Sequence, residues 1–111
     1  MYEYRASVIR VVDGDTVDLR VDLGFGMGLN DRFRLAGIDA PERGKPGGSE
    51  ATAWLTEKFS TRAEIIIKTR KDSREKYGRY LAEIFVLGDA TSLNQQMIEV
   101  GHVKAYGGGK R

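Results

Sequence analysis

The sequence contains no cysteine and a single histidine, His102, among its 111 residues. Without cysteine the chain forms no disulfide and holds no metal through thiolates. One histidine near the C-terminus gives no sign of the Ser-His or Cys-His pairing that nucleophilic catalysis uses, and we expect it to be structural. Any metal site in this chain is therefore expected to consist mainly of oxygen ligands.

Long hydrophobic runs are also lacking, and no stretch approaches the roughly 20 apolar residues that a membrane-spanning helix needs. The first ten residues lack the features of a signal peptide, so we expect an intracellular protein or a secreted form without its leader. With 41% hydrophobic and 31% charged residues, the composition is that of one folded domain. We expect this domain to span residues 1–106, to be a monomer, and to be followed by a flexible glycine-rich tail at 107–111.

Positive charge is concentrated in one segment. The formal net charge is +2, but residues 68–79 carry six basic side chains against Asp72 and Glu75, a local excess of four. Such a segment suits contacts with the phosphates of a nucleic acid. It is also typical of a solvated hairpin tip, and composition leaves both interpretations open.

Strict alternation of apolar and polar residues predicts a half-buried strand at 16–23. Its core face is expected to hold Val17, Leu19, Val21 and Leu23. The β-rich stretch 4–12 precedes this strand, and Asp13-Gly14-Asp15 joins the two as a hairpin turn in which the glycine tolerates a positive φ.

Glycine-rich segments separate the next predicted elements. Residues 24–30 are expected to form a loop whose apolar side chains pack within the chain, although they would also suit a partner or a second subunit. A third strand at 32–38 follows and ends before Pro41. Residues 49–60 carry apolar side chains at helical spacing, which predicts a helix with Trp54 on its core-facing stripe.

Two further β-rich runs, 63–69 and 79–87, lie on either side of the basic segment. A second helix is predicted to start at Ser92, where Ser-Leu-Asn-Gln matches a capping box, and to stop at Gly101. Five strands and two helices in a short chain predict an α+β fold, a five-stranded β-barrel with two flanking helices, because closure removes exposed sheet edges. Spacing alone leaves other five-stranded topologies open.

Two carboxylates stand where predicted strands end. Asp15 lies in the first hairpin turn, and Asp39 lies two residues before Pro41. With the Ala40 carbonyl they would form an oxygen site that suits calcium, but each aspartate alone also fits a turn-stabilising role. Glu42 could act as a general base beside such a metal, although Asp-Ala-Pro-Glu could equally be only a turn.

Two arginines are candidates for binding phosphate. Arg34 alternates with apolar neighbours on the third strand, so it points away from the core and needs an anionic partner. That partner is either a structural carboxylate such as Glu64 or Glu83, or a substrate phosphate held by the guanidinium. Arg79 is open to the same two interpretations. The pentacovalent transition state of phosphodiester cleavage would use both arginines, the carboxylates and a divalent cation together.

Four motifs resemble the staphylococcal-nuclease-like (thermonuclease) family in their order and spacing. They are Val12-Asp13-Gly14-Asp15-Thr16-Val17, Phe33-Arg34-Leu35, Asp39-Ala40-Pro41-Glu42 and Lys76-Tyr77-Gly78-Arg79. The similarity spans nearly the whole chain, and four ordered motifs are more specific than any one. The resemblance implies an OB-fold barrel and a nuclease that hydrolyses the P–O5′ bond of DNA and RNA and releases 3′-phosphorylated products.

The resemblance also implies a metal site. Asp15 and Asp39 would bind Ca²⁺ through their side chains and Ala40 through its main-chain carbonyl, with Glu42 as the general base. Alanine stands at position 40 where threonine is common in the family, which keeps the main-chain ligand but removes a hydroxyl.

For the substrate, the resemblance implies that Arg34 and Arg79 bind the scissile phosphate and its transition state. Lys76 and Tyr77 would contact a neighbouring phosphate, and Tyr106 would stack on a base. Two alternatives stay open. Family modules without the catalytic groups serve as non-catalytic OB-fold domains that bind nucleic acid or protein, and a structural adaptor would leave the carboxylates paired with basic neighbours.

Overall fold

The computed structural model describes residues 2–42, 44–59, 64–74 and 79–105, with the side chains of 70–74 excepted. The predicted tail at 107–111 lies outside the described residues. The elements along the chain are β1 (Tyr2–Asp13), β2 (Thr16–Gly24), β3 (Met27–Leu35), β4 (Ile38–Asp39), α1 (Gly48–Phe59), β5 (Ile65–Arg74), β6 (Tyr80–Val86), α2 (Leu93–Glu99) and β7 (Lys104–Ala105).

Five of these strands form a closed barrel in the order β1-β2-β3-β6-β5. The β3–β6 pair is parallel, and the other pairs are antiparallel. The largest fully buried side chains of the core are Leu19, Leu35, Ile38, Leu55, Ile65, Ile67, Ile84, Leu93, Met97 and Val17. The predicted α+β class, a five-stranded barrel with two helices, is confirmed. A second sheet, which the sequence did not predict, joins β4 to β7.

The alternation in β2 holds where this strand faces the barrel interior. Val17, Leu19 and Val21 are buried as predicted, but Leu23 is 44% exposed, so its predicted core position is wrong. The pairing of β1 with β2 ends at Ala6 and Val21. Beyond this point, among the described residues, β2 pairs only with β3, and the hairpin extends past the barrel with its apolar face uncovered.

The glycine-rich segment 24–30 is not the loop that the sequence predicted. Gly24 pairs with Met27 across a two-residue turn, and β3 begins at Met27. The turn residues Phe25 and Gly26 have φ of 56° and 76°, which are the positive values of a type I′ hairpin turn. The chain therefore makes a tight hairpin where a longer loop was expected.

Two other strands have different bounds from those predicted. β3 ends at Leu35 rather than at 38, because the chain turns at Gly37, whose φ is 77°, before β4. β5 continues to Arg74 instead of ending at 69. Much of the basic segment is therefore strand backbone and not loop.

Gly14 is needed for close packing and not for a positive φ, which corrects the sequence-based interpretation. A Cβ at this position would lie 2.7 Å from the Cβ of Ala51 on α1 and 3.0 Å from the Cβ of Ala40. Close-packed interiors do not accommodate such approaches without movement. The first hairpin turn, α1 and the segment after β4 therefore meet at a point where only glycine fits.

The helix α1 packs on the core through Ala51 and Leu55, which are buried. Trp54 is partly buried against the same core, which agrees with its predicted place on the apolar stripe. The ring centre of His102 lies 6.0 Å from that of Trp54. Neither of the two helices in the described ranges is long and apolar enough to cross a membrane.

The second helix begins as predicted at Ser92, whose hydroxyl accepts the Gln95 N–H at 3.1 Å. Asn94 in its first turn is buried and satisfies three backbone groups. Its Oδ1 accepts from the Ile84 N–H at 3.0 Å, and its Nδ2 donates to the carbonyls of Ala36 and Ala82 at 2.8 and 3.1 Å. This side chain ties α2 to the parallel β3–β6 junction.

Candidate active site

Asp15 occupies the first hairpin turn, where several bonds fix its orientation. Its carbonyl accepts the Leu35 N–H at 2.8 Å, which ties the turn to the end of β3. Its Oδ1 accepts from the Thr16 hydroxyl at 2.9 Å, and its Oδ2 accepts from the Ala40 N–H at 3.1 Å. The Asp15 side chain is 12% exposed. This carboxylate is therefore held in place by Thr16 at the start of β2 and by the main chain just after β4.

Arg34 lies between Asp15 and Asp39. Its Nη2 is 3.6 Å from Oδ2 of Asp15 and 3.4 Å from Oδ1 of Asp39, and its side chain is 7% exposed. β4 brings Asp39 to this point by pairing it with Lys104 of β7. Two predicted metal ligands and a predicted phosphate-binding arginine thus form one group, termed here the Asp15–Arg34–Asp39 cluster.

The carboxylate partners of Arg34 are not the ones that the sequence suggested. Glu64 lies 3.8 Å from Arg5, and Glu83 is in register with Lys68 of β5. The alternation of β3 showed that Arg34 faces away from the core, but not which strands or turns meet it there. The two distances in the cluster exceed the roughly 2.7–2.9 Å of a strong charge-assisted hydrogen bond, so this pairing is a weak one.

Arg79 reaches the same place from the residue before β6. This strand runs parallel to β3, with Tyr80 in register with Phe33, and their ring centres are 5.6 Å apart. Nη1 of Arg79 donates to the Thr16 hydroxyl at 3.3 Å. Because that hydroxyl itself donates to Asp15, Arg79 is connected to the cluster through one side chain.

Thr16 is the site residue that sequence reasoning missed. It is buried, it pairs in register with Arg34, and its hydroxyl links a carboxylate to a guanidinium. The available signal was its position, since it directly follows Asp15 and opens the polar face of the alternating strand β2. Threonine at the start of a strand is common enough that residue type alone did not single it out.

The remaining predicted site residues are located less fully. Glu42 has an exposed side chain, and its carbonyl accepts the Lys45 N–H at 3.0 Å in the turn that leads to α1. Its role as a general base stays a prediction. Lys76, Tyr77 and Tyr106 lie outside the described residues, so their substrate contacts also stay predictions.

The carboxylate oxygens of Asp15 and Asp39 are the ligand type that a hard divalent cation prefers. In the part of the chain that the structure describes, no three His, Cys, Asp or Glu side chains lie together in a way that could hold a metal ion. Two carboxylates would leave the other positions to main-chain oxygen, water and substrate, which is typical of metals that act on phosphates. The donor set fits Ca²⁺ or Mg²⁺ and does not fit a metal that needs thiolates or several imidazoles.

Fold and site together define a small five-stranded α+β barrel with an oxygen-rich polar cluster beside its first hairpin turn. The family model described as "Staphylococcal nuclease homologue" matches residues 32–109. The chain belongs to this staphylococcal nuclease family.

Individual relatives agree with this membership. The chain is 32% identical, over 94% of its length, to a protein named micrococcal nuclease from Shigella flexneri, and 36% identical, over 74% of its length, to a thermonuclease from Staphylococcus intermedius. It is also 29% identical, over 94% of its length, to an uncharacterized endonuclease from Escherichia coli O157:H7. The alignments cover 59%, 48% and 62% of these relatives, so the chain spans less than two thirds of their length.

Proposed function

We propose that the chain is a metal-dependent nuclease that hydrolyses phosphodiester bonds in DNA and RNA. The observation that carries this proposal is the convergence of Asp15 and Asp39 on Arg34, with Arg79 joined to the same turn through Thr16. Carboxylates for a cation and guanidinium groups for a phosphate are the parts that such cleavage needs. The family match and the relatives named as nucleases support the proposal.

The charges at the site favour the same chemistry. The negative charges of the two aspartates equal the positive charges of the two arginines, so these four side chains together carry no net charge. A divalent cation would add two positive charges, which match the two negative charges of a phosphodiester in its pentacovalent transition state. Without a cation, the four side chains offer no excess positive charge to the phosphate. Cleavage should therefore depend on the metal.

We infer that Ca²⁺ is the metal and that Asp15, Asp39 and the Ala40 carbonyl hold it. Calcium accepts irregular oxygen coordination that includes water, whereas Mg²⁺ demands near-ideal octahedral geometry. When bound, the ion would supply positive charge beside the phosphate and make a neighbouring water more acidic.

The protein side chains would then carry out the proton transfer and the charge stabilisation. Glu42 takes a proton from the attacking water, whose oxygen bonds to phosphorus while the P–O5′ bond breaks, and the departing O5′ takes up a proton from a solvent water. Arg34 and Arg79 donate hydrogen bonds to the phosphate oxygens, on which negative charge accumulates. The products are a 3′-phosphate end and a 5′-hydroxyl end.

One observation favours a competing function. Both carboxylates are paired with Arg34, which is the arrangement expected of a structural adaptor domain that binds no metal. In such a domain the ion pairs would be the final state of the cluster. A nuclease would instead exchange them for contacts with cation and phosphate, so calcium binding separates the two functions.

The test is cleavage of single-stranded DNA by the purified chain with Ca²⁺ and with a chelator, alongside the Glu42→Gln variant. We expect cleavage that requires Ca²⁺ and that falls by about 10²–10⁴-fold in this variant, the usual range for loss of a general base. Glu50→Gln is the matched control, because it removes an exposed carboxylate from the first turn of α1. The control variant should cleave at the rate of the unaltered chain.

Each part of the proposal has its own contrary result. DNA binding without cleavage would identify a non-catalytic OB-fold module, and calorimetric titrations that find neither Ca²⁺ nor Mg²⁺ binding would identify an adaptor. End-group analysis that finds 5′-phosphate products would overturn the assignment of the P–O5′ bond while leaving the nuclease in place.

A further inference from the structure

Arg34 and Arg79 are held at the proposed active site in different ways. Arg34 lies inside β3, has a side chain that is 7% exposed and is placed between two carboxylates. Arg79 comes before β6, whose pairing with β3 begins at Tyr80, and it is only half-buried. An arginine has a long flexible stem and loses much rotamer freedom when it is fixed. The guanidinium of Arg79 therefore depends on its side-chain contacts for its position.

The Thr16 hydroxyl supplies one of these contacts. It accepts from Nη1 of Arg79 at 3.3 Å and donates to Oδ1 of Asp15 at 2.9 Å. The direction of both bonds is fixed, because a guanidinium can only donate and an ionised carboxylate can only accept. The single proton of the hydroxyl points to Asp15, so a lone pair faces Arg79. Thr16 therefore presents an acceptor to the arginine and not a donor.

The position of Thr16 is itself well fixed. It is 3% exposed and opens β2, where it pairs with Asp13 of β1 on one side and with Arg34 of β3 on the other. Its branched Cβ restricts rotation about χ1, so the hydroxyl keeps its direction once the backbone is set. Serine would carry the same hydroxyl on a freer side chain. The barrel thus offers Arg79 a rigid acceptor.

We propose that Thr16 is a positioning residue of the reaction, which aims the Arg79 guanidinium at the reactive phosphate. This inference rests on the proposed nuclease function. The bond to Thr16 involves one of the five N–H donors of a guanidinium, so the same group can bind phosphate oxygens while Thr16 holds it. Orientation before the reaction lowers the barrier, because the charge that develops on the phosphate then meets a donor already in place. Thr16 acts through Arg79 and does not contact the phosphate itself.

The first test compares Thr16→Val, which keeps the shape of the side chain and removes the hydroxyl, with Thr16→Ser, which keeps the hydroxyl. In cleavage of single-stranded DNA with Ca²⁺, Thr16→Val should lower kcat by about 10- to 100-fold, the range for loss of a hydrogen bond to a charged group. KM should stay unchanged, because the weakened contact is one that strengthens in the transition state. Thr16→Ser should keep kcat within about threefold of the unaltered chain, since its hydroxyl must be fixed in one of three rotamers.

Thr52→Val is the matched control. Thr52 is also buried, at 4% exposure, and its hydroxyl donates to the Gly48 carbonyl within α1 at 2.9 Å. The same substitution there removes a buried hydroxyl and its hydrogen bond, so it should lower the free energy of unfolding by a comparable amount and leave kcat unchanged. A kcat that falls equally in Thr16→Val and Thr52→Val would assign the effect to lost stability and overturn the proposal.

A second readout needs neither metal nor turnover. In protein with isotope-labelled arginine, the Nε–H signal of Arg79 is assigned by its loss in Arg79→Ala, and its NMR relaxation reports how ordered the side chain is. In a chelator, we expect this order to fall in Thr16→Val and to persist in Thr16→Ser and Thr52→Val. Unchanged order of Arg79 in Thr16→Val would overturn the proposal.

A double-mutant cycle separates action through Arg79 from action through Asp15. If Thr16 acts through Arg79, adding Thr16→Val to Arg79→Ala should change the residual kcat by less than about twofold, because the second substitution has nothing left to misplace. If Thr16 acts through the carboxylate instead, the loss should persist in the Arg79→Ala background and calcium affinity should fall in calorimetry. That result would overturn the proposal.

The same measurements separate the positioning role from the nuclease assignment. Cleavage by the unaltered chain, with an unchanged kcat in Thr16→Val, would overturn the role of Thr16 and leave the nuclease in place. Absence of cleavage by every form, together with an Arg79 signal that depends on the Thr16 hydroxyl, would overturn the nuclease assignment and leave Thr16 as the residue that orders Arg79.

Discussion

Asp15 and Asp39 belong to one cluster but are held differently. Asp15 is 12% exposed and accepts from the Thr16 hydroxyl and the Ala40 N–H, whereas Asp39 is 29% exposed and meets the guanidinium of Arg34. In Asp15→Asn the NH₂ group of the new amide would face either the Thr16 hydroxyl or the Ala40 N–H, and both of these groups are donors. One hydrogen bond is therefore lost, and we expect the free energy of unfolding in urea to fall by about 1–3 kcal/mol. Asp39→Asn should cost less than about 1 kcal/mol, because water can replace its lost contact.

Both of these variants are expected to lose calcium binding in calorimetry, although only one of them loses much stability. Equal unfolding free energies for the two variants would show that the bonds to Asp15 do not restrain it. Stability costs must therefore be subtracted before a loss of activity is assigned to either carboxylate.

At the residue scale, type and order in the sequence were enough to single out Asp15, Arg34 and Asp39. Their mutual distances were not predictable, because they depend on strand pairing between distant segments. Arg34 illustrates the limit. The alternation of β3 predicted which side of the strand this arginine lies on, but the carboxylates suggested as its partners, Glu64 and Glu83, were not the ones that meet it. Thr16 was missed for the same reason, because its importance comes from its contacts with Asp15 and Arg79 and not from its own chemistry.

At the scale of single elements, the turn of the β2–β3 hairpin stores conformational strain. Phe25 has a φ of 56° and a fully exposed side chain, and a left-handed conformation costs a residue with a Cβ about 1–2 kcal/mol. Asparagine tolerates this conformation and is preferred before glycine in type I′ turns. We therefore expect Phe25→Asn to raise the free energy of unfolding by about 1 kcal/mol, measured by urea denaturation.

The stability of the Phe25→Asn variant also tests whether the Phe25 ring contacts another molecule in solution. A loss of stability in Phe25→Asn would mean that the aromatic ring contacts another molecule, and sedimentation at several concentrations would then identify a second copy of the chain. Phe25→Gly serves as the second variant, because glycine adopts positive φ without a side chain and should also stabilise the turn.

Element prediction succeeded where the periodic signal was unbroken. The alternation of β2 and the capping pattern at Ser92 both led to the right element. Glycines at 24, 26 and 28 removed every second side chain, so the hairpin looked like a loop. The network of Asn94 was equally hidden, because its three backbone partners lie at distant places in the sequence and carry no side-chain signal.

At the scale of the whole molecule, barrel closure assembles the site from separate segments. Asp15 and Ala40 are 25 positions apart in sequence yet share a hydrogen bond of 3.1 Å. The number of strands and the removal of exposed sheet edges favoured a barrel but left other five-stranded topologies open, and only the family resemblance implied the barrel directly. The strand order and the additional β4–β7 sheet were beyond the reach of local patterns, since both are decided by which distant edges pair.

Gly14 lies where this assembly is tightest, against Ala51 of α1 and Ala40 beside the cluster. A methyl group added there must displace the helix or the segment after β4. We expect Gly14→Ala to lower the free energy of unfolding by about 1–3 kcal/mol, the usual cost of overpacking. Calcium affinity should fall as well, because Ala40 carries both the N–H that orients Asp15 and the proposed carbonyl ligand.

A double-mutant cycle distinguishes displacement of the helix from displacement of the site. Ala51→Gly removes the nearer obstructing methyl group, at 2.7 Å, but leaves that of Ala40 at 3.0 Å, and alone it should cost about 1 kcal/mol in helix propensity. Combined with Gly14→Ala it should be more stable than the sum of the single effects, because the two residues are in contact. If stability recovers while calcium affinity stays low, the added methyl group still presses on Ala40. Recovery of both would assign the whole effect to α1, and strict additivity would show that the two elements do not meet at Gly14.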